Sequence, residues 1–344
     1  MMNPIDFVLL WVDGNDPLWK ARRNLRWNGY FHTDGAELKE EENGDCRYRD
    51  MEMLQYWFRA VEKFAPWVNR IFFVTCGQKP AWLNADHPKI VLVNHEDYMP
   101  AEYLPTFNSD PIELNLHRIQ GLSEHFVLFN DDVFLISPVA PDFFFKDGQP
   151  CLPSDLSICD YFGYNSWSFR CLNDYFVLND HFKLNDALRR DLKKWCDVKV
   201  LGARQALKNY LCFKLNRTMM IRGYEHLANP HLKSTFAEVW DTCPDIMDAT
   251  CRQPFRSNDQ VNQWLLCAWN QAKGQFHPVR SYSQGSHFNV SSGQLDLICS
   301  LIREQSVSEL CLNDSQYNDD PEKCFAAIRQ AFDAILPDKS GFEL

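Results

Sequence analysis

The stretch HFVLFNDDVFLISP, residues 125–138, sets Asn130, Asp131 and Asp132 between two apolar runs, Phe126–Phe129 and Val133–Ile136. Such runs make strands buried on both faces. Adjacent carboxylates in that setting are costly unless they are paired or bound to a cation. Carboxylates meeting at a sheet rim supply the hard oxygen ligands that Mg²⁺ or Mn²⁺ needs, with coordination positions left open for phosphate. A lone acidic pair also serves as a turn cap or an arginine partner. What sets this one apart is that it interrupts an otherwise unbroken apolar run, with further acidic loops at neighbouring strand ends.

Other residues of the right chemical type fall near the same rim. WVDGNDP puts Asp13 and Asp16 after the first apolar run. Asp-Gly and Asp-Pro are turn formers; the functional alternative is a loop that meets a nucleotide's base or ribose. His117 and Arg118 sit in LHRIQ, and HLANPHLKS adds His226, His231 and Lys233. Arg256 precedes a helix whose cap is expected at Ser257 or Asn258. An arginine fork bonds two diphosphate oxygens at once. Neither GxGxxG nor GxxxxGK[ST] occurs, so no glycine-rich phosphate cradle is expected.

The elements that must position these groups read as follows. Residues 5–12 are a strand, 69–80 a second, buried strand followed by a glycine turn and 89–100 a third strand ending in polar residues, and 125–135 is a fourth strand that carries the acidic pair late in its run. Residues 49–66 have helical spacing, with Asp50 as the expected N-cap. Residues 109–124 read as a helix with Asp110 before Pro111 at its first position. Residues 20–46 are charged and irregular, an exposed loop or a helix with a mobile tip, and 139–180 look loop-rich and aromatic. Helical periodicity returns at 185–196, 201–211, 231–241, 259–274 and 322–336. Strand, helix, strand, strand, helix, strand predicts an open, mostly parallel α/β sheet of Rossmann-like type, with additional helices from the C-terminal half. Ligands of such sheets bind beyond the carboxyl ends of the strands. The halves, 1–140 and 141–344, are expected to form one catalytic unit.

Composition bounds the function. The 344 residues carry a net charge of −11, which argues against nucleic acid as the partner. The 14% aromatic content suits an extensive core or a sugar-binding surface. The thirteen cysteines include no CxxC, and Cys76, Cys212, Cys267 and Cys311 lie in apolar patterns as small buried hydrophobes. With no signal-peptide pattern and no run of membrane-spanning length, the expected compartment is the reducing cytoplasm.

With these pieces in view the chain resembles the Stealth family, sugar-1-phosphate transferases of bacterial capsule and surface-polysaccharide synthesis that are related to the animal GlcNAc-1-phosphotransferase. The resemblance runs through four blocks. They are IDFVLLWVDGNDPLW (5–19), RYRDMEMLQYWFRAVEKFAPWVNRIFFVTCGQKPAWL (47–83) with LPTFNSDPIELNLHRIQGLSEHFVLFNDDVFL (104–135), HLANPHLKSTFAEVW (226–240) with PFRSNDQVNQWL (254–265), and LCLND (310–314). Met51, Cys76 and Ala228 depart from the usual family residues.

The resemblance implies a nucleotide diphosphosugar donor, most often a UDP-sugar, and a glycan or lipid-linked oligosaccharide acceptor. A phosphodiester forms and the nucleoside monophosphate leaves. It implies Mg²⁺ or Mn²⁺ on Asp131 and Asp132, with Asn313 and Asp314 beside the ion and Arg118 and Arg256 on the diphosphate. Trp11, Asp13, Gly14, Asp16, Arg49 and Asp50 fall on the nucleotide side. His117, Asp132 and His226 are the candidate general bases. A lipid-linked acceptor would bring the protein to the inner face of the membrane as a peripheral visitor. An ordinary metal-dependent glycosyltransferase, releasing the nucleoside diphosphate, and a non-catalytic carbohydrate-binding protein are the alternatives.

Overall fold

A computed structural model describes residues 3–30, 43–156, 166–215, 226–281, 283, 285–314 and 318–344. The central sheet has the order β3-β2-β1-β4-β8, built from β1 (Ile5–Leu10), β2 (Ile71–Thr75), β3 (Ile90–Asn94), β4 (His125–Phe129) and β8 (Asn229–Leu232). The first four strands run parallel and β8 pairs antiparallel with β4. The open, mostly parallel α/β sheet is therefore as expected. Both faces of β1, β2 and β4 are covered, which is why these runs are apolar with little alternation, whereas the edge strand β3 leaves Leu92 exposed. Phe7, Leu9, Phe73 and Phe129 pack on one side with α2 (Leu54–Phe64), together with residues of α11 (Leu295–Glu304) and α12 (Pro321–Ile335). Val8, Phe72, Val74, Phe126 and Leu128 pack on the other side. There they meet residues of α3 (Ser109–Leu114), α8 (Lys233–Thr242), α9 (Pro244–Cys251) and α10 (Gln263–Lys273).

Several elements differ from the expected ones. The fourth strand is two strands in two sheets. β4 stops at Phe129, and β5 (Val133–Leu135) joins a second sheet of order β10-β11-β5 with β10 (Gly285–Asn289) and β11 (Glu309–Asn313). Residues 109–124 yield only α3 and a 3₁₀ turn at Leu116–Arg118, because Asn115 leaves the helix with ψ near 0° and turns its amide onto the Pro111 carbonyl. The cap of α3 is Asn108, whose side chain accepts from the Asp110 N–H. α2 starts at Leu54 after Met53, while Asp50 instead accepts from the Glu52 N–H. α10 is capped by Asn262, not by Ser257 or Asn258.

The irregular stretch after residue 16 opens with α1 (Pro17–Tyr30); the rest of the expected mobile tip, 31–42, lies outside the described residues. The expected loops of 139–180 contain the hairpin of β6 (Phe145–Lys146) and β7 (Gln149–Pro153), to which β9 (His277–Val279) adds, and the helix α4 (Ser166–His181). Residues 185–196 divide at Asp191 into α5 (Leu184–Arg190) and α6 (Leu192–Trp195), and α7 (Val198–Leu215) follows. All described cysteines are free; Cys212, Cys267 and Cys311 are buried, whereas Cys76 is only half-buried.

Candidate active site

The acidic pair owes its place to the change of sheet. After β4 the chain reverses over Asn130–Asp132, with the Val133 N–H donating to the Asn130 carbonyl at 3.1 Å. The Leu312 N–H then donates to the Asp132 carbonyl at 2.8 Å and fixes the turn to β11. In the order β3-β2-β1-β4 the chain's progress across the sheet reverses between β1 and β4, so the turn stands at the switch point, where open α/β sheets bind ligands. A cleft of 1130 Å³ opens there, lined by Trp11, Tyr48, Phe107, Asp131, Asp132, Asp314, His226 and Arg256, among others. It continues into a second hollow that shares Arg47, Ser109, Asn130, His226, Arg256 and Asn313 with it and adds His287 and Trp264.

Asp131 and Asp132 gather little compensating charge from the described residues. Burial, then Asp132, then Asp50, push the Asp131 carboxyl up to about 8. Burial is likewise the main cause that raises Asp50. Asp132 is 8% exposed. Its Oδ2 meets the Cys311 Sγ at 3.5 Å, and its buried Oδ1 has no hydrogen-bond partner among the described residues. The His226 Nε2 is 3.8 Å from that Oδ1 and 3.1 Å from the Asn130 amide nitrogen.

At the opposite end of the same sheet Asp6 is buried still more deeply, but it accepts from the Asn69 amide and the Ser123 N–H and lies 3.7 Å from Arg70. A structural acid finds donors; Asp132 Oδ1 lacks one. An orphaned carboxylate oxygen beside two further acids is what a hard divalent cation relieves, so Asp131 and Asp132 fit Mg²⁺ or Mn²⁺. Asp314 lines the same cleft, accepting from Arg49 at 2.7 Å and from Asn318 at 3.3 Å, and the Asn313 amide donates to Asn289 at 2.6 Å.

The other expected site residues separate into three places. Arg256 and His226 are in the cleft. The Asn43 side chain clamps the Arg256 backbone at both N–H and carbonyl, and the Arg256 Nη2 donates to Ser109 at 3.0 Å. Asp13, Asp16 and Asp50 line an adjoining depression beyond Trp11, which borders both hollows and stacks on Phe73 with centroids 5.6 Å apart. Asp13 and Asp16 form Asx turns to Asn15 and Leu18, and Gln78 donates to Asp16.

His117 and Arg118 line neither hollow. His117 packs on Phe236 and Trp240, burial lowers its pKa to about 4, and Arg118 lies over the Trp240 ring while donating to Asn115. The expectation that they face the diphosphate fails because the helix they were read on ends at Leu114, and the following 3₁₀ turn points them at α8.

Gly14 serves by close approach. A Cβ built there would come within 1.8 Å of the Tyr48 carbonyl oxygen. Gly14→Ala must displace the segment that carries Arg47, Tyr48 and Arg49 into the cleft, so it is expected to cost about 1–3 kcal/mol of stability. Unfolding with and without nucleotide sugar checks this, and an unchanged midpoint contradicts it.

Sequence reading missed the aromatic wall, in which Tyr48 contacts Trp19 and Phe107 stacks on Phe255. Its only signal was one aromatic residue in each of RYRD and LPTFNSD, Tyr48 and Phe107. It also missed His287 and Cys311, which parallel pairing of β10 and β11 sets side by side.

Two family models match, Stealth protein CR1, conserved region 1, over residues 3–28 and Stealth protein CR2, conserved region 2, over 47–151. A capsular polysaccharide phosphotransferase, WcwK of Streptococcus pneumoniae, is 40% identical over 352 residues, covering 100% of both chains. This chain belongs to the Stealth family. A second relative, the receptor polysaccharide phosphotransferase WefC of Streptococcus gordonii, is 38% identical over 347 residues with 100% of each chain covered. Among solved structures, the galactosyltransferase LgtC in complex with donor and acceptor sugar analogs is similar at a TM-score of 0.34 and 12% identity, over 94% of this chain and 95% of that one.

Proposed function

We propose that this Stealth protein transfers a sugar-1-phosphate from a nucleotide diphosphosugar, a UDP-sugar in the first instance, to a hydroxyl of a glycan or lipid-linked oligosaccharide in capsule or surface-polysaccharide synthesis. The observation that carries the reading is the buried Asp132 Oδ1 without a partner, facing a cleft that also holds Arg47, Arg256 and His226. The names of the full-length relatives support a phosphotransferase.

In this reading Asp131, Asp132, Asp314 and Asn313 hold Mg²⁺ or Mn²⁺, which when bound supplies positive charge against the diphosphate oxygens. Arg256, held in place by Asn43 and Ser109, and Arg47 add cationic contacts. His226 takes the acceptor hydroxyl's proton; of the three bases expected from the sequence, it and Asp132 line the cleft. The acceptor oxygen bonds to the sugar-bearing phosphorus as the bond from that phosphorus to the nucleoside monophosphate oxygen breaks. The nucleotide lies along Trp11 toward Asp13, Asp16, Arg49 and Asp50. Both halves of the chain line the cleft, so they act as one catalytic unit. A lipid-linked acceptor would bring the reaction to the inner membrane face; no described helix is long and apolar enough to cross a membrane.

The test is incubation with a panel of nucleotide sugars and a glycan acceptor, identifying the nucleotide released. Nucleoside monophosphate is expected. Nucleoside diphosphate would mean attack at the anomeric carbon, an ordinary glycosyltransferase. No release from any donor, with glycan binding kept in Asp131→Ala and Asp132→Ala, would mean a non-catalytic binder.

A further inference from the structure

His226, His287 and Cys311 come from three separate segments, yet one ligand atom from each lies within 4.8 Å of the others. Parallel pairing explains two of them. His287 on β10 stands opposite Cys311 on β11, so both side chains leave the same face of the second sheet. β5 pairs on the other edge of β11, Val133 opposite Cys311, and this puts Asp132 at the end of the same group. The His226 and His287 rings are 5.6 Å apart between centroids.

A second observation points to a ligand: beside the group the buried Asp132 Oδ1, without a hydrogen-bond partner among the described residues, is 3.8 Å from the His226 Nε2. The other Asp132 oxygen is 3.5 Å from the Cys311 Sγ. Tetrahedral zinc, with bonds of about 2.0–2.3 Å, sets its ligand atoms roughly 3.3–3.8 Å apart. The ligand atoms of His226, His287 and Cys311, within 4.8 Å of one another, reach that spacing by small side-chain shifts.

We propose that His226, His287 and Cys311 form a binding site for a borderline-soft divalent cation, Zn²⁺ by chemistry, beside the hard-cation site of Asp131, Asp132 and Asp314 and distinct from it in its ligands. Two imidazoles and a thiolate select zinc over magnesium, whose preference is for oxygen. On binding, the Cys311 thiol gives its proton to solvent as the sulfur–metal bond forms. Insofar as the phosphotransfer reading holds, Zn²⁺ on His226 withdraws that base and blocks turnover.

The test does not require turnover. Metal-free full-length protein is titrated with Co²⁺ as a spectroscopic probe, followed by Zn²⁺ displacement. The expected result is one Co²⁺ per chain with thiolate-to-cobalt charge-transfer absorption, removed by Zn²⁺ and absent in Cys311→Ser. His287→Gln is expected to weaken Zn²⁺ binding by more than about 100-fold, beyond the cost of losing a residue that merely orients a ligand. Melting curves identify any variant that fails to fold, and the wild-type spectrum alone remains decisive. No Co²⁺ binding, binding without thiolate absorption, or absorption that persists in Cys311→Ser overturns the proposal. A Co²⁺ site in a protein that releases no nucleotide would uphold it and sink the phosphotransfer reading instead. If both hold, Zn²⁺ inhibits Mg²⁺-supported turnover, and Cys311→Ser and His287→Gln are inhibited less.

Discussion

Asp132→Asn is expected to lower kcat/KM by about 10²–10³, the range seen when one preorganised electrostatic contact to a transition state is removed. The fold should survive. Asparagine keeps the volume, and the turn is held by backbone bonds from Val133 and Leu312 that the substitution leaves alone. It also removes a charge that, after burial, is the next cause of the raised Asp131 carboxyl. The metal-free variant should therefore melt no lower than the wild type, while the stabilisation that Mg²⁺ or Mn²⁺ gives the wild type should largely disappear. EDTA should reproduce the loss of turnover in the wild type. Melting curves with and without the ion, alongside kinetics, separate the outcomes; near-normal turnover, or a variant that simply unfolds, contradicts the assignment.

The second large effect is on stability. Arg170→Ala is expected to cost about 3–5 kcal/mol, the usual penalty for breaking a buried ion pair from one side. The Arg170 Nη1 is 3.2 Å from the Asp110 Oδ2, with side-chain exposures of 6% and 5%. Two more acids crowd Asp110. Burial, then Asp110, pushes Glu113 up to about 8, and burial, with Asp110 contributing, raises Asp174 well above its ordinary value. Arg170 thus holds together the acidic floor of the second hollow.

The pH dependence follows from Glu113. Folded, it keeps its proton up to about pH 8, whereas in the unfolded chain it loses it near 4.5. Between those values the folded chain binds more protons, so stability declines as pH rises through the window. Arg170→Ala should steepen that decline, because Asp110 and Glu113 lose a compensating charge. Denaturant unfolding at pH 6 and pH 8 measures both effects; equal losses below about 1 kcal/mol at the two pH values contradict the account.

How far the site was legible in the sequence varies by residue. The strands β1, β2 and β3 and the carboxyl-end position of the acidic turn follow from apolar runs closed by polar residues, a local signal. The division of 125–135 between two sheets was hidden because β4 and β5 are both buried throughout, and an apolar run is the same whichever sheet receives it. His117 and Arg118 were misplaced for a related reason. Spacing sets the phase of a helix only while the helix lasts, and Asn115 ends this one before them. Asp13 and Asp16 behave as the turn formers their neighbours suggest. His287 and Cys311 had no local mark at all, since strand register alone brings them to Asp132.

The most direct test of the central claim is a crystal structure with a nucleotide sugar and Mn²⁺, read by anomalous scattering at the manganese edge. An anomalous peak bonded to Asp131 and Asp132, with the donor's diphosphate on the same ion and Arg256 within hydrogen-bond reach of it, is the predicted result. Manganese and diphosphate bound away from the Asn130–Asp132 turn, or a donor seated in the cleft with the Asp132 Oδ1 still unpartnered, would contradict it.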